Sequence, residues 1–495
     1  MKPRELLRAS QEKPMNLLQR YRDMSAPVKA SAWYAVCDVI QKGILVLTIP
    51  IFTRIMTTAE YGLTNVYNSW LAIIVIFATL NLQHGTFNMA MVEFEDDRDK
   101  YISAVQGLVT TSVMVLFLIY LPLSTLFDDI TKLNLPLFAA MAIQMITTAS
   151  FGFWSGKKRF DYLYKKVVAL TVISAVLTTA ISILMVVTAT DNRGEIKIIS
   201  TVLTQALLFI PVYFANAIKG KSFFVKKYWL FALGMNLPLI PYYLAQAVFN
   251  NADLLMIQAM CGMSDAALYG TVYSFATMMT LIINAINNSF VPWKYKKIKR
   301  DDFENMGTVT NGIAVLVAGL LVLIILLGPE IVQLLAAPAY YEARWVFPPV
   351  AASMYFLFFV QQYIDVEFLL KNRLMLVAGS IAAAVANIVL NALFIPQFGY
   401  MAAAYTTLAS YIIFVICNYF AVRRGIRTAK AKYQVRDFCN TRFLAVVGIG
   451  IIAVTLLSSL LYTSDAIRYM SICVALIIAI LLRGKIKAIL GSFRK

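Results

Sequence analysis

The sequence predicts an all-α polytopic membrane protein: 14 transmembrane helices, in two pseudo-symmetric six-helix lobes plus two C-terminal helices. Three observations predict it. Of the 495 residues 60% are hydrophobic and only 14% are charged, with a mean hydropathy of +0.72; a soluble domain carries about a quarter charged residues. The apolar residues fall in runs near 20 long, the length at which a helix crosses about 30 Å of hydrocarbon, and these runs lack the alternation of a membrane barrel. Finally, basic residues crowd into every second connection between runs.

The runs come in order. The first two, Ser31 to Ile55 and Val66 to Met91, flank the stretch TIPIFTRIMTTAEYGLTNVY, where Pro50 predicts a kink and Tyr61-Gly62 a tight reversal. Ile102–Leu126, Leu135–Trp154, Val167–Thr188 and Ile198–Ala217 complete the first lobe. The seventh run, Leu230–Met260, is interrupted by Pro238 and Pro241; Ala266–Val291, Thr308–Leu327, Val346–Leu369, Leu374–Phe394 and Met401–Val422 complete the second. Phe443–Leu461 and Ala466–Leu482 close the series. The corresponding organisation is a basic cytoplasmic segment (1–30), an N-lobe (31–218), a C-lobe (219–422), a basic cytoplasmic loop (423–442) and a final helix pair with its tail (443–495).

Charge sets the orientation. With the N-terminus in the cytoplasm, the outer side holds only Arg54, Lys132, Arg193, Lys197, Arg344 and Arg468, and Lys42 lies within a run; the rest of the 44 lysines and arginines fall inside. Both termini are therefore expected in the cytoplasm. The net charge of +18 reads as this bias and not as nucleic-acid binding. The first thirty residues lack the pattern of a signal peptide. Five cysteines without a CxxC motif indicate neither a disulfide framework nor a zinc site, and no metal or cofactor is expected. No loop is long enough for a folded domain, so chemistry belongs within the bundle or at its mouths.

Two halves of six helices each enter from the same side, which predicts parallel repeats with a site between them. Ala266-Ala267-Leu268-Tyr269-Gly270 stands in register with Thr58-Ala59-Glu60-Tyr61-Gly62 and marks the repeat.

PIFTRIMTTAEYG resembles the pattern of the polysaccharide transport family, the O-antigen and capsule repeat-unit flippases. NNADLLMIQAMCGMSDAALYG (Asn250 to Gly270) resembles that family's second lobe, with Asp253 at its usual aspartate. VPWKYKKIK, the loop from Gly328-Pro329-Glu330 to Arg344, and IPQFGYMAAAYTTLASY (Ile395 to Tyr411) fit as well. The similarity runs from Ser31 to Val422. The wider multidrug/oligosaccharidyl-lipid/polysaccharide exporter superfamily includes multidrug antiporters and peptidoglycan-precursor flippases. The resemblance implies alternating access in the bacterial plasma membrane, carrying a polyprenyl-pyrophosphate-linked oligosaccharide outward and involving no enzyme chemistry. It implies as partners this lipid-linked oligosaccharide, membrane lipids, and the polymerase or glycosyltransferases of the same assembly line, with H+ or Na+ coupling to be considered.

Several polar residues stand in membrane runs, where they are costly and mark function. Lys42 reads either as a cavity cation meeting the pyrophosphate or as the partner of Asp38, one turn away. Arg54 matches the family's arginine, or snorkels to headgroups. His84, the sole histidine, reads as a proton relay or as a hydrogen-bonded interior group. Asp253 suits ion coupling or a salt bridge to Arg54. Asp365, a further ion-coupling candidate, stands with Glu367 on what reads as a solvated inner rim. Tyr242, Tyr243, Gln246, Tyr269, Tyr273, Asn284, Asn287 and Asn288 offer rings and amides to sugars or to neighbouring helices; of these, Tyr242, Gln246, Tyr273 and Asn287 are the substrate-binding candidates. Two rivals stay open. A drug/cation antiporter of the same fold would prefer acidic cavity groups. A membrane glycosyltransferase or polymerase would need a large outer loop or paired carboxylates at a mouth.

Overall fold

The computed structural model describes residues 25–83, 86–300, 302–370, 373–429 and 434–492. Its helices follow the expected fourteen in order. Twelve helices among the described residues are long and apolar enough to cross a membrane. The remaining two expected spans are helical as well: span seven, broken into Lys226–Asn236, a 3-10 turn at Leu237–Leu239, and Ile240–Cys261, and span fourteen, Asp465–Ser492.

The local chemistry explains the ends. Span one, Ala26–Ile55, carries Pro50 in its interior, and the Thr53 hydroxyl and the Arg54 guanidinium both bond back to carbonyls of that turn. Span two begins at Thr58 on a capping box: Thr57 Oγ1 accepts from Glu60 N, and the Glu60 carboxylate accepts from Thr57 N at 2.9 Å. The chain thus reverses at Met56–Thr57, not at Tyr61–Gly62 as the sequence suggested. The capping box supplies the turn, and Gly62 lies inside the helix for a different reason, given below. Span two also ends early, at Thr79, and resumes as Thr86–Glu93. Leu80 and Asn81 between the two pieces have left-handed φ of 50° and 51°. Span four, Leu135–Phe160, is capped by Asn134 with Pro136 in the first turn. Span ten, Phe347–Leu369, is apolar almost all round and is buried almost all round.

Two cores result. One is built from spans two, three, four and six of the first lobe, together with Tyr228 and Ala232 of span seven's first piece. Tyr228 donates to Asp97 and Trp229 Nε1 to the Ala104 carbonyl, tying that piece to the first lobe. The other core gathers the second lobe around span ten, plus Ile49, Phe52, Met56, Tyr61 and Val66 from the first two spans. Spans thirteen (Thr441–Leu461) and fourteen flank the second lobe. Tyr355 bonds to the Leu444 carbonyl, Tyr462 to the Ile325 carbonyl, and Arg468 to Glu330 at 2.5 Å. We call the side where span one begins the N-terminal face, and the other the opposite face.

Candidate functional site

On the opposite face the lobes meet through the paired starts of spans two and eight (span eight being Met263–Thr277 and Met279–Lys299). Thr58 Oγ1 donates to Ser264 Oγ at 3.1 Å. A Cβ added at Gly62 would run into the Met263 carbonyl, 2.9 Å from its carbon, so only glycine permits this approach of two backbones. Ala337 N donates to Thr53 Oγ1, and Tyr61 meets Tyr340 edge-on, completing the seal.

Beneath the seal lies a cavity of about 440 Å³ walled by both lobes. Spans one, two, four, five and six supply Thr48, Phe52, Tyr61, Thr64, Asn65, Tyr67, Asn68, Gln144, Thr178, Ser182, Lys197 and Thr201. Spans seven and eight supply Asn250, Asn251, Asp253, Tyr269, Tyr273 and Ser274. The wall is mostly hydroxyl, amide and aromatic. Thr64 Oγ1, Asn65 Nδ2 and Thr178 Oγ1 are buried atoms with no hydrogen-bond partner among the described residues. Buried polar atoms are nearly always partnered, so these three mark where a ligand's hydroxyls or water belong.

The cavity's cation is Lys197. Span six starts at Arg193, whose guanidinium donates to the Ile55 carbonyl at 2.6 Å and whose backbone N–H donates to Glu60 Oε1 at 3.0 Å. Gly194 lets this first turn close on the backbone of Glu60. One turn later Lys197 falls on the same face, its Nζ 4.1 Å from the Phe52 ring centroid and 4.2 Å from that of Tyr61. No carboxylate pairs with it among the described residues. Two ring faces hold the ammonium without cancelling its charge. The sequence reading placed Lys197 among the outer-loop charges and missed it. The signal available was its position one turn beyond Arg193, just before an apolar run.

Asp253 faces the same cavity, 4% exposed. It makes no bridge to Arg54. Its carboxylate instead accepts from Tyr269 Oη at 2.8 Å, from Asn391 Nδ2 at 2.6 Å and from Thr407. Thr406 bonds in turn to Asn391, and Asn391 Nδ2 lies 3.3 Å from Asn387 Oδ1. The anion is thus wrapped in donors inside the second lobe, whereas the cation opposite is bare.

The other sequence candidates are dispersed. Tyr273 lines the main cavity and, with Gln246 and Asn250, a second one of about 380 Å³; Gln246 Nε2 donates to Ser380. The Tyr242 ring lies beside Tyr243, and Asn287 is half-buried with an unpartnered Oδ1. Asp38 and Lys42 are both exposed near the middle of span one, with no ion pair between them and no place in the cavity wall. Arg54 is exposed and donates to the Pro50 carbonyl. His84 lies outside the described residues. Asp365 and Glu367 do not form a solvated rim: they are 4% and 1% exposed, and Asp365 pairs with the fully buried Lys294 at 3.2 Å. Lys294 sits in the run VPWKYKKIK, which looks like a basic loop but continues span eight as helix.

Comparison with known proteins agrees with this architecture. The model of the family described as "Polysaccharide biosynthesis protein" matches residues 28–297. The chain is 22% identical over 291 residues to "Lsg locus putative protein 1" of Haemophilus influenzae, a match spanning 55% of this chain and 67% of that protein. Among solved structures, the lipid II flippase MurJ in an inward closed conformation superposes with a TM-score of 0.61 at 16% identity, covering 89% of this chain and all of that one. An inward-facing multidrug resistance MATE family transporter superposes at 0.56 and 12% identity, over 81% and 96% of the two chains. A MOP superfamily transporter from Pyrococcus furiosus does so at 0.55 and 14%, over 85% and 100%. At such identities the structures speak for the fold alone, and that fold is a transporter's. With more than half of its length matched by the family model, the chain belongs to the polysaccharide biosynthesis protein family, on the fold of the MOP superfamily.

Proposed function

We propose that this protein is an alternating-access flippase, not an enzyme, that moves a polyprenyl-pyrophosphate-linked oligosaccharide from the inner to the outer leaflet of a bacterial plasma membrane, with the N-terminal face and both termini cytoplasmic. The observation that carries the reading is the inter-lobe cavity with a Lys197 that no carboxylate pairs among the described residues, and a wall of rings, hydroxyls and amides. A diphosphate finds a cation there, and sugar hydroxyls find the orphaned Thr64, Asn65 and Thr178. The polyprenyl chain stays in lipid while the headgroup is sheltered. Alternation consists of breaking the seal at Gly62, Met263, Thr58 and Ser264 while the opposite end closes.

A cation antiporter of the same fold fits less well. Its cavity should offer a free carboxylate, and the Asp253 carboxylate is already occupied by three donors. We assign Asp253, with Asn387, Asn391 and the hydroxyls of Thr406 and Thr407, to ion coupling: an oxygen-rich nest suits Na+ or a proton better than an organic cation.

The test is outward movement of a lipid-linked oligosaccharide in proteoliposomes. Lys197→Ala should slow it at least about tenfold, as loss of a hydrogen-bonded charge commonly does, and Lys197→Arg should retain part of it. Wild-type rates in Lys197→Ala would overturn the reading.

A further inference from the structure

A further cavity, of about 680 Å³, opens in the first lobe between the N-terminal-face halves of spans two and four. Its wall carries Arg159, the amides Gln83 and Asn88, and the rings Phe87, Phe151 and Phe160. No carboxylate lines it among the described residues. Two nearby cations are spent on ion pairs, Lys157 with Asp99 at 2.7 Å and Arg98 with Asp161 at 3.5 Å. Arg159 has no carboxylate partner among the described residues; its guanidinium stacks on Tyr34 of span one, 4.8 Å from the ring centroid. Two glycines of span four let the wall residues of span two seat closely against it. At Gly156 an added Cβ would strike the Phe87 ring at 2.6 Å, and at Gly152 it would collide with the Gln83 amide.

Tyr34 and Phe52 share a geometric relation. They are separated by about five helical turns of span one, so they lie on one face of it, about 27 Å apart. One ring meets Arg159 and the other meets Lys197. The same face of span one therefore touches a bare cation at each end of the membrane.

We propose that the Arg159 cavity is a separate loading site for the sugar-diphosphate headgroup, engaged before the inter-lobe cavity. The inference rests on the flippase reading. A planar guanidinium binds phosphate oxygens in bidentate fashion; the rings take the faces of sugars, and Gln83 and Asn88 take their hydroxyls. Span one then links the loading site to the Lys197 cavity.

The experiment needs no transport. Thr148 lines this cavity with its hydroxyl bonded to its own helix, so Thr148→Cys in a cysteine-free background reports on occupancy without removing a contact. Its alkylation from the N-terminal face, in nanodiscs, is timed with and without UDP-N-acetylglucosamine as a soluble sugar diphosphate. Protection is expected, with the half-protecting concentration raised about tenfold or more by Arg159→Ala. It should rise less in Arg159→Lys, rise also in Asn88→Ala (an exposed position that should not disturb folding), and stay unchanged in Lys197→Ala. Inorganic pyrophosphate should protect more weakly, having no sugar for the rings. Equal protection by the two probes refutes the glycan part. Absence of protection, or protection lost in Lys197→Ala but kept in Arg159→Ala, refutes the loading site while leaving the flippase reading to its own transport assay.

Discussion

Gly62→Val should open the seal on the opposite face. The structure allows the size of the effect to be worked out. A Cβ at residue 62 would lie 2.9 Å from the Met263 carbonyl carbon and 3.4 Å from Ala267 Cβ. The first obstacle is backbone, which has no rotamer to retreat into, so spans two and eight must separate by several tenths of an ångström or more. Overpacking of this kind costs about 1–3 kcal/mol. That penalty falls only on the conformation in which the seal is shut, so the closed-to-open ratio should fall by about 5- to 150-fold. Thr58 and Ser264 report on it directly. A Thr58→Cys/Ser264→Cys pair should cross-link readily under mild oxidation, since the native hydroxyls are 3.1 Å apart. In the Gly62→Val background cross-linking should drop, and Ser264→Cys alone should become labelled faster from the opposite face. Gly43→Ala is the control, because nothing lies within 4 Å of a Cβ there. Unchanged cross-linking and labelling at normal expression would show that the glycine contact does not govern the gate.

Other expectations follow from single contacts. Gly270→Ala should be milder than Gly62→Ala in the same cross-linking assay, because its obstacles are the ends of the Leu254 and Asn65 side chains. Lys294→Met leaves Asp365 buried and unpaired and should lower stability by about 3–5 kcal/mol; Lys294→Met with Asp365→Leu should recover much of this in thermal unfolding of the solubilised protein. Asp253→Asn keeps the shape of its nest but not the charge, so any Na+-dependent rise in melting temperature seen in the wild type should vanish. Clamping the membrane potential at zero with valinomycin and balanced potassium, at constant pH, should slow outward flipping; rates that follow only an imposed ion gradient would transfer the driving role to Asp253.

Hydropathy made the helix order legible because each span must satisfy its backbone internally and face lipid somewhere. Those demands act on every residue in a run, so a window detects them. The site was far less legible, because it depends on single residues and on pairs distant in sequence. Asp253 and Asn391 are 138 positions apart, and no local pattern announces their bond. Lys197 and Lys294 were hidden by the same rule that gave the topology. A count of basic residues treats a lysine near a helix end as loop, yet Lys197 turns inward between two rings and Lys294 is enclosed with Asp365. Gly62 was noticed for the wrong reason. A glycine after tyrosine suggests a turn, but the turn was already made by Thr57 and Glu60, and the missing side chain serves the contact with Met263.

The two charges that face the inter-lobe cavity decide what can enter it. At an effective dielectric of about 20, opposite unit charges 4 Å apart attract by about 4 kcal/mol, and like charges repel equally. Tyr269, Asn391 and Thr407 fill the hydrogen-bonding positions of Asp253, so a ligand must displace one of them to reach its oxygens. Lys197 has no such partners: no carboxylate pairs with it among the described residues, and its amine lies against the ring faces of Phe52 and Tyr61. On the proposed flippase reading, this asymmetry favours a diphosphate over an organic cation. A diphosphate diester carries about two negative charges. Moving one charge through 100 mV is worth about 2.3 kcal/mol, so an inside-negative membrane would push the loaded headgroup outward. Cations that bind the headgroup, Lys197 or Arg159, do not subtract from that push while they stay fixed in the field, because only the headgroup crosses.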